Sequence, residues 1–272
     1  MKATCHSTFG FSLSENFLET VEIWIDKQKD ADSFADKKIF VCIEPNEISG
    51  INNYLKHNYK DFDFILAYDQ EILNSVPNSI LFQYGTTWIG EDFVSNTKEE
   101  NLSFICNNKL HCKGHKLRQK IWHNQNKISF SKKFFVGSKN VPDNLQNATN
   151  SVELFNGNLI LGESKYPLFD SMFHICIENV SKNNFFTEKL IDCFLTKTIP
   201  IYWGCPNIGE YFNEYGMIIF ENDKDFFEKC CLLSSELYAS KKDVIEQNFQ
   251  LAKEWVDYPA RLIAKIKELK IK

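Results

Sequence analysis

The stretch Ile177-Glu178-Asn179-Val180-Ser181-Lys182-Asn183-Asn184-Phe185-Phe186-Thr187-Glu188-Lys189, and then Thr198-Ile199-Pro200-Ile201-Tyr202-Trp203-Gly204, decides the reading of this chain. Phe173, Ile175 and Ile177 alternate into an apolar strand that ends at Asn179. A polar loop follows, and Thr187-Glu188-Lys189 opens a helix over 187–196. The helix leads to a second apolar strand, 199–203, with Ile199, Ile201 and Trp203 alternating, and it stops at Gly204. Strand, loop, helix and strand in this order imply parallel pairing with a helix on one face. A helix N-terminus favours anions, so an acidic and a basic side chain set there mark a candidate site.

The same alternation extends in both directions. Strands are expected at 38–43, 62–69, 79–84, 102–106, 133–137 and 217–220, and helices at 54–58, 115–123, 208–212 and 224–235. In the helix at 115–123, Leu117, Ile121 and Trp122 should face inward. Phe17 to Trp24 reads as helical, 142–157 as turn-rich, and the polar run 96–101 as a linker. The expected fold class is α/β, two Rossmann-like lobes with a C-terminal helix. The expected division is residues 1–98, 99–240 and a helical tail 241–272 interrupted near Pro259. In such sheets ligands sit beyond the carboxyl ends of the strands, and here between the lobes.

Bulk properties exclude several classes. The net charge of −5 over 272 residues gives no basic excess for nucleic acid. No charged segment with a following apolar run opens the chain, and no window approaches the ~18 apolar residues of a membrane span. A cytoplasmic protein with buried, reduced thiols is expected from the nine scattered cysteines. Lys253, Lys265, Lys267, Lys270 and Lys272 on the tail leave weak peripheral contact with an anionic membrane as a further expectation. Cys106, His111, Cys112 and His115 do not have a standard zinc spacing, so no metal is expected. Neither a G-x-G-x-x-G fingerprint nor a P-loop is present.

Transfer of a sugar from a nucleotide diphosphate needs a base, cationic or N–H donors for the departing diphosphate, and a carboxylate near the developing ring charge. Glu188 and Lys189 suit the last two needs. Neighbours on a helix diverge by ~100°, so one could face the sugar and the other the phosphates. An ordinary first helical turn, with Thr187 near the cap and Glu188 answering the dipole, explains the same residues in isolation.

The whole pattern weighs against that plainer explanation. Glu178-Asn179, Phe185, Thr187-Glu188-Lys189 and Ile199-Pro200-Ile201-Tyr202-Trp203-Gly204 resemble the signature of glycosyltransferase family 10, the α-1,3/1,4-fucosyltransferases. The resemblance is strong over 170–215 and extends weakly from about Phe40 to Phe220. It implies a GT-B type fold, a metal-independent inverting mechanism, GDP-fucose as donor substrate with no other cofactor, and an acceptor glycan. It implies that Asn179 and Glu178 lie at the nucleotide sugar, that Lys189 pairs with the diphosphate, and that Glu188 steadies the fucosyl ring. Glu44 matches the family's base on the acceptor lobe, with Glu47 as the alternative. The phosphate-binding residue of the first donor-lobe helix is His115 or Arg118, and Arg118, a permanent bidentate cation, is preferred. Phe185 stands where the family usually has Tyr. Ring stacking survives that change and a hydroxyl contact does not. A different donor, such as a UDP-pentose, is the alternative within the fold. A non-catalytic glycan- or nucleotide-binding module is the alternative from another class, although a pure binder needs no base. Gly204 is expected to let backbone approach the ligand.

Overall fold

The computed structural model describes residues 3–7, 13, 17–89, 97–136, 152–154 and 165–270, with 152–154 described for backbone only. It divides into two compact units. The first comprises 1–84, 182–185 and 257–272, and the second 85–181 and 186–256.

The first unit holds β1 (Thr4–Ser7), β2 (Val21–Ile25), β3 (Lys37–Val41), α1 (Asn46–Ser49), α2 (Ile51–Asn58), β4 (Phe64–Ala67), α3 (Gln70–Ser75) and β5 (Ser79–Leu81). Its sheet runs β1-β2-β3-β4-β5, and every pair is parallel. Both faces are covered. Ile23, Ile25, Ile39, Val41 and Leu66 pack on one side, and Trp24, Phe40, Cys42, Ile65 and Ala67 on the other. This explains the near-continuous apolar strands. The expected helix at Phe17–Trp24 is corrected: Val21–Ile25 is β2, because the period of Val21, Ile23 and Ile25 is two.

The second unit holds β6 (Glu99–Cys106), α4 (Lys113–His123), β7 (Lys132–Val136), β8 (Val152–Leu154), α5 (Tyr166–Phe169), β9 (Ser171–Ile177), α6 (Glu188–Leu195), β10 (Ile199–Trp203), β11 (Ile218–Ile219), α7 (Asp223–Cys230), α8 (Ser235–Ser240) and α9 (Lys242–Ala252). Its parallel sheet has the order β11-β10-β9-β6-β7-β8. The chain winds outward from β6 through β7 to β8, returns to β9, and winds the other way through β10 to β11. The carboxyl ends of β6 and β9 therefore flank a topological switch point, where α/β sheets bind ligands. Glu99–Asn101, expected in a linker, begins β6, and Val152–Leu154 forms a strand within the segment expected to be turn-rich. The remainder of 142–157 lies outside the described residues.

The unit division falls at Tyr84/Gly85, not at 98/99, and the tail is not a separate piece. Lys242–Ala252 belongs to the second unit. The last helix, α10 (Tyr258–Glu268), packs Tyr258, Leu262 and Ile266 into the first sheet's core. Pro259 sits in its first turn, where a missing N–H costs nothing. Lys37, 6% exposed, donates to Leu269 O at 2.8 Å and caps its end. No helix among the described residues is long and apolar enough to cross a membrane.

Candidate active site

α6 has eight residues, short of the ~12–15 that hold a helix in isolation, so packing has to stabilise it. Leu190, Ile191, Cys193 and Phe194 are buried on one face of the sheet. Burial of side chains of this size contributes roughly 1.5–3 kcal/mol each. Thr187 is its N-cap. The expected cap is present, and it is itself held by a buried carboxylate. Glu178 is fully buried and accepts from Thr187 N and Thr187 Oγ1, each at 2.8 Å. Glu178 thus positions the turn that opens α6. Burial raises its pKa, against the Lys189 charge and the two bonds from Thr187.

Lys189 reaches back over this turn. Its Nζ lies 3.1 Å from Thr187 Oγ1, 3.0 Å from Glu188 Oε1 and 3.8 Å from Glu178 Oε2. Burial opposes its charge, but Glu188 and Glu178 outweigh that and hold its pKa above the ordinary lysine value. Glu188 is 5% exposed. Burial disfavours its charge, yet Lys189 and Lys165 together pull its pKa below the ordinary carboxylate value. The two side chains do not diverge as the helical angle suggested. They form an ion pair, and 27% of the Lys189 side chain remains exposed.

One turn further on, Asp192 is fully buried and accepts from Lys165 Nζ (2.8 Å), Thr87 Oγ1 (2.7 Å) and Trp88 N (2.9 Å). Lys165 Nζ also lies 4.7 Å from the Trp88 ring centroid. This cluster anchors the α6 face that carries Glu188, four residues earlier. It escaped sequence reasoning, although an Asp inside the apolar run Leu190–Leu195 was the available signal.

The opposite wall is the start of α4. Gly114 N donates to Asn179 O at 2.9 Å. A Cβ on Gly114 would lie 1.8 Å from Glu178 O, so only glycine lets the helix come this close to the end of β9. Gly204 has a similar use. Its Cβ would meet Tyr202 Oη at 2.4 Å and Glu178 Cγ at 2.6 Å, so side-chain packing accounts for this glycine, not the expected ligand approach.

Arg118 is buried, and its guanidinium is engaged. Nε and Nη2 donate to Ile177 O, the last carbonyl of β9, and Nη2 donates to Asn179 Oδ1 at 3.1 Å. Arg118, the preferred phosphate cation, here closes the strand end and orients Asn179 through Nε and Nη2. His115, the alternative, lies one turn earlier on α4. It is 5% exposed, its Nδ1 is 3.1 Å from Cys112 Sγ, and burial with the Arg118 charge holds its pKa down to about 4. It is neutral at ordinary pH and supplies no cation. The exposed cation that opens this helix is Lys113, at its first position, with Nζ 5.4 Å from the Trp203 ring centroid. It was missed because the helix was expected to begin two residues later.

The remaining expected residues lie in the first unit. The Phe185 ring is 2% exposed and packs 4.8 Å from the Tyr68 ring. Glu44 is half-buried beyond the end of β3. Glu47 is ion-paired with Lys182 at 3.2 Å, and Lys182 also holds Asp69 at 2.9 Å. Among the described residues no group of three His, Cys, Asp or Glu is arranged to hold a metal ion.

No family model matches the chain. The α-(1,3)-fucosyltransferase FucT of Helicobacter pylori is 39% identical over 56 residues, 21% of this chain and 12% of that protein. The resemblance carried by the signature is borne out to that extent, and the match spans about an eighth of the curated relative. Among solved structures, a point mutant of S. aureus TarM, in complex with fondaparinux, α-GlcNAc-glycerol and UDP, matches with a TM-score of 0.58 at 14% identity. That match covers 91% of this chain and 55% of TarM. A glycosyltransferase from Rickettsia africae matches with a TM-score of 0.54 at 12% identity, covering 90% of this chain and 75% of the other. These likenesses show the fold: two Rossmann-like lobes of the GT-B type.

Proposed function

We propose that the chain is a metal-independent, inverting glycosyltransferase that moves L-fucose from GDP-fucose to a hydroxyl of an acceptor glycan. The observation that carries this reading is the Glu188–Lys189 pair, held at a capped helix N-terminus beside the switch point of the second sheet. Lys189 and Lys113 bind the diphosphate and take up the charge that develops as it leaves. Glu188, kept ionised, faces the ring as positive charge grows at the anomeric carbon. Asn179, with its carbonyl held by Arg118, presents its amide N–H group to the donor. Glu44 on the acceptor lobe takes the proton from the acceptor hydroxyl. The oxygen then bonds to the anomeric carbon from the face opposite the diphosphate, and the bond to the β-phosphate oxygen breaks.

A panel of GDP, UDP, GDP-fucose, GDP-mannose and UDP-xylose, read by thermal shift and by released nucleotide, tests the donor. The GDP ligands should raise the melting temperature most, since a ligand that binds only the folded state stabilises it. Lys113→Ala should lose that shift while Lys116→Ala keeps it. A UDP preference would overturn the donor, and no nucleotide release with any sugar would overturn catalysis.

A further inference from the structure

Asp26 follows the last residue of β2 in a left-handed backbone conformation, φ 48°, which carbon-branched side chains avoid and Asp tolerates better than most. The turn folds its side chain across to β3. Oδ1 accepts from Ile43 N at 3.1 Å, and Oδ2 accepts from Ile43 N at 3.2 Å and Glu44 N at 2.8 Å. Its own N–H donates to Val41 O at 3.1 Å. Asp26 thus fixes the two peptide units from which the Glu44 side chain leaves the sheet.

We propose that Asp26 is a positioning residue for Glu44, setting the direction of the base and placing a second negative charge beside it. The inference rests on the reading of Glu44 as the base.

Two features separate this from an ordinary turn. The first is redundancy, since Oδ2 alone reaches both N–H groups and Oδ1 only doubles the bond from Ile43 N, so the turn carries one more acceptor than its two donors require. The second is cost. Burial pushes the Asp26 pKa up to about 7, the N–H groups of Glu44 and Ile43 pull it down, and the Glu44 charge pushes it up again. The other titratable groups that face it are Cys42 after β3, Tyr68 after β4 and Tyr258 at the start of α10. Asp69 lies beyond Cys42 and Tyr68 with its charge answered by Lys182, and Arg261 faces Tyr258. An acid whose pKa is raised on folding makes the folded chain less stable as pH rises from about 4 to about 7. Local costs of this kind concentrate at functional sites.

The test uses Asp26→Asn, Asp26→Ala and Glu44→Gln in the full chain. GDP release from GDP-fucose is measured across a panel of oligosaccharide acceptors, alongside thermal melts at pH 4 and pH 8. Asp26→Asn should melt above the wild type at pH 8 and level with it at pH 4. At pH 8 its kcat should fall about tenfold with the donor KM unchanged, and the change in wild-type rate between about pH 6 and pH 8, as Asp26 ionises, should be missing from its pH–rate profile. Asp26→Ala, which also loses the clamp, should fall roughly a hundredfold with donor affinity retained. An inactive Glu44→Gln beside an Asp26→Asn of wild-type kcat and pH profile would overturn this inference alone. A Glu44→Gln of wild-type rate, or no GDP release by the wild type, would remove the base and the inference together. Asp26→Asn melting below the wild type at pH 8 would assign Asp26 a structural role only.

Discussion

Gly114→Ala sets two opposed expectations against each other. In an exposed helix interior the change would stabilise the chain by ~1 kcal/mol through helix propensity. Here the new methyl would lie 1.8 Å from Glu178 O and 2.8 Å from Asn179 O, where Cβ atoms stay beyond 3.0 Å. Both partners are backbone, so no rotamer relieves the clash. α4 and the end of β9 must separate by more than about 1 Å in a densely packed interior. Overpacking of this kind costs ~1–3 kcal/mol or more. The Gly114 N to Asn179 O bond is lost as well, for about 1 kcal/mol. The clash therefore outweighs propensity, and net destabilisation is about 3 kcal/mol. At ~2–4 °C per kcal/mol for a chain of this size, the melting temperature should fall by roughly 10 °C. The displaced turn carries Lys113 and supports Asn179, so GDP should protect the variant far less than the wild type. Scanning fluorimetry with and without GDP measures both effects. An alanine variant that melts at or above the wild type with full protection by GDP would refute the close approach.

Lys189→Met should lose turnover and stability together, because it takes the nearest cation from the buried Glu178 and Glu188 and leaves Glu188 only the Lys165 charge. Removing one partner of a buried ion pair costs ~3–5 kcal/mol, and the 27% exposure of Lys189 puts this case at the low end. Urea unfolding checks it, and unchanged stability would mean that the pair contributes nothing to the fold. His174 gives a pH test. Burial and the Lys165 charge hold it down to about 3, and its Nδ1 is 2.8 Å from Ser103 Oγ. The folded chain resists a proton that the unfolded chain accepts below about pH 6.5, so this stability is present above that pH and is lost as pH falls toward 3. His174→Gln should remove ~1.4 kcal/mol per pH unit of slope between about pH 6 and pH 4, and superimposable slopes would contradict it.

Much of this was legible in the residues themselves. Period-two alternation at Phe173–Ile177 and Ile199–Trp203 gave two buried parallel strands, and Thr187 with Glu188 and Lys189 gave a capped helix start. Both are local signals, written in spacing alone. Val21–Ile25 was misread because five residues of alternation are shorter than the helical window they were judged in.

The local sequence determined that a carboxylate and a lysine would open a helix after an apolar strand. What those groups do was decided by long-range contact. Arg118 is a helix arginine in the sequence, and the unsatisfied carbonyl at the end of β9, 59 positions away, turns it into a strand closure. Glu178 becomes a clamp because Thr187 folds back onto it, and Asp26 gains a neighbour only when β2 and β3 pair in register. A hydrogen-bond partner brought in across a sheet leaves no trace in spacing or periodicity, because sheet pairing joins residues whose separation along the chain is arbitrary.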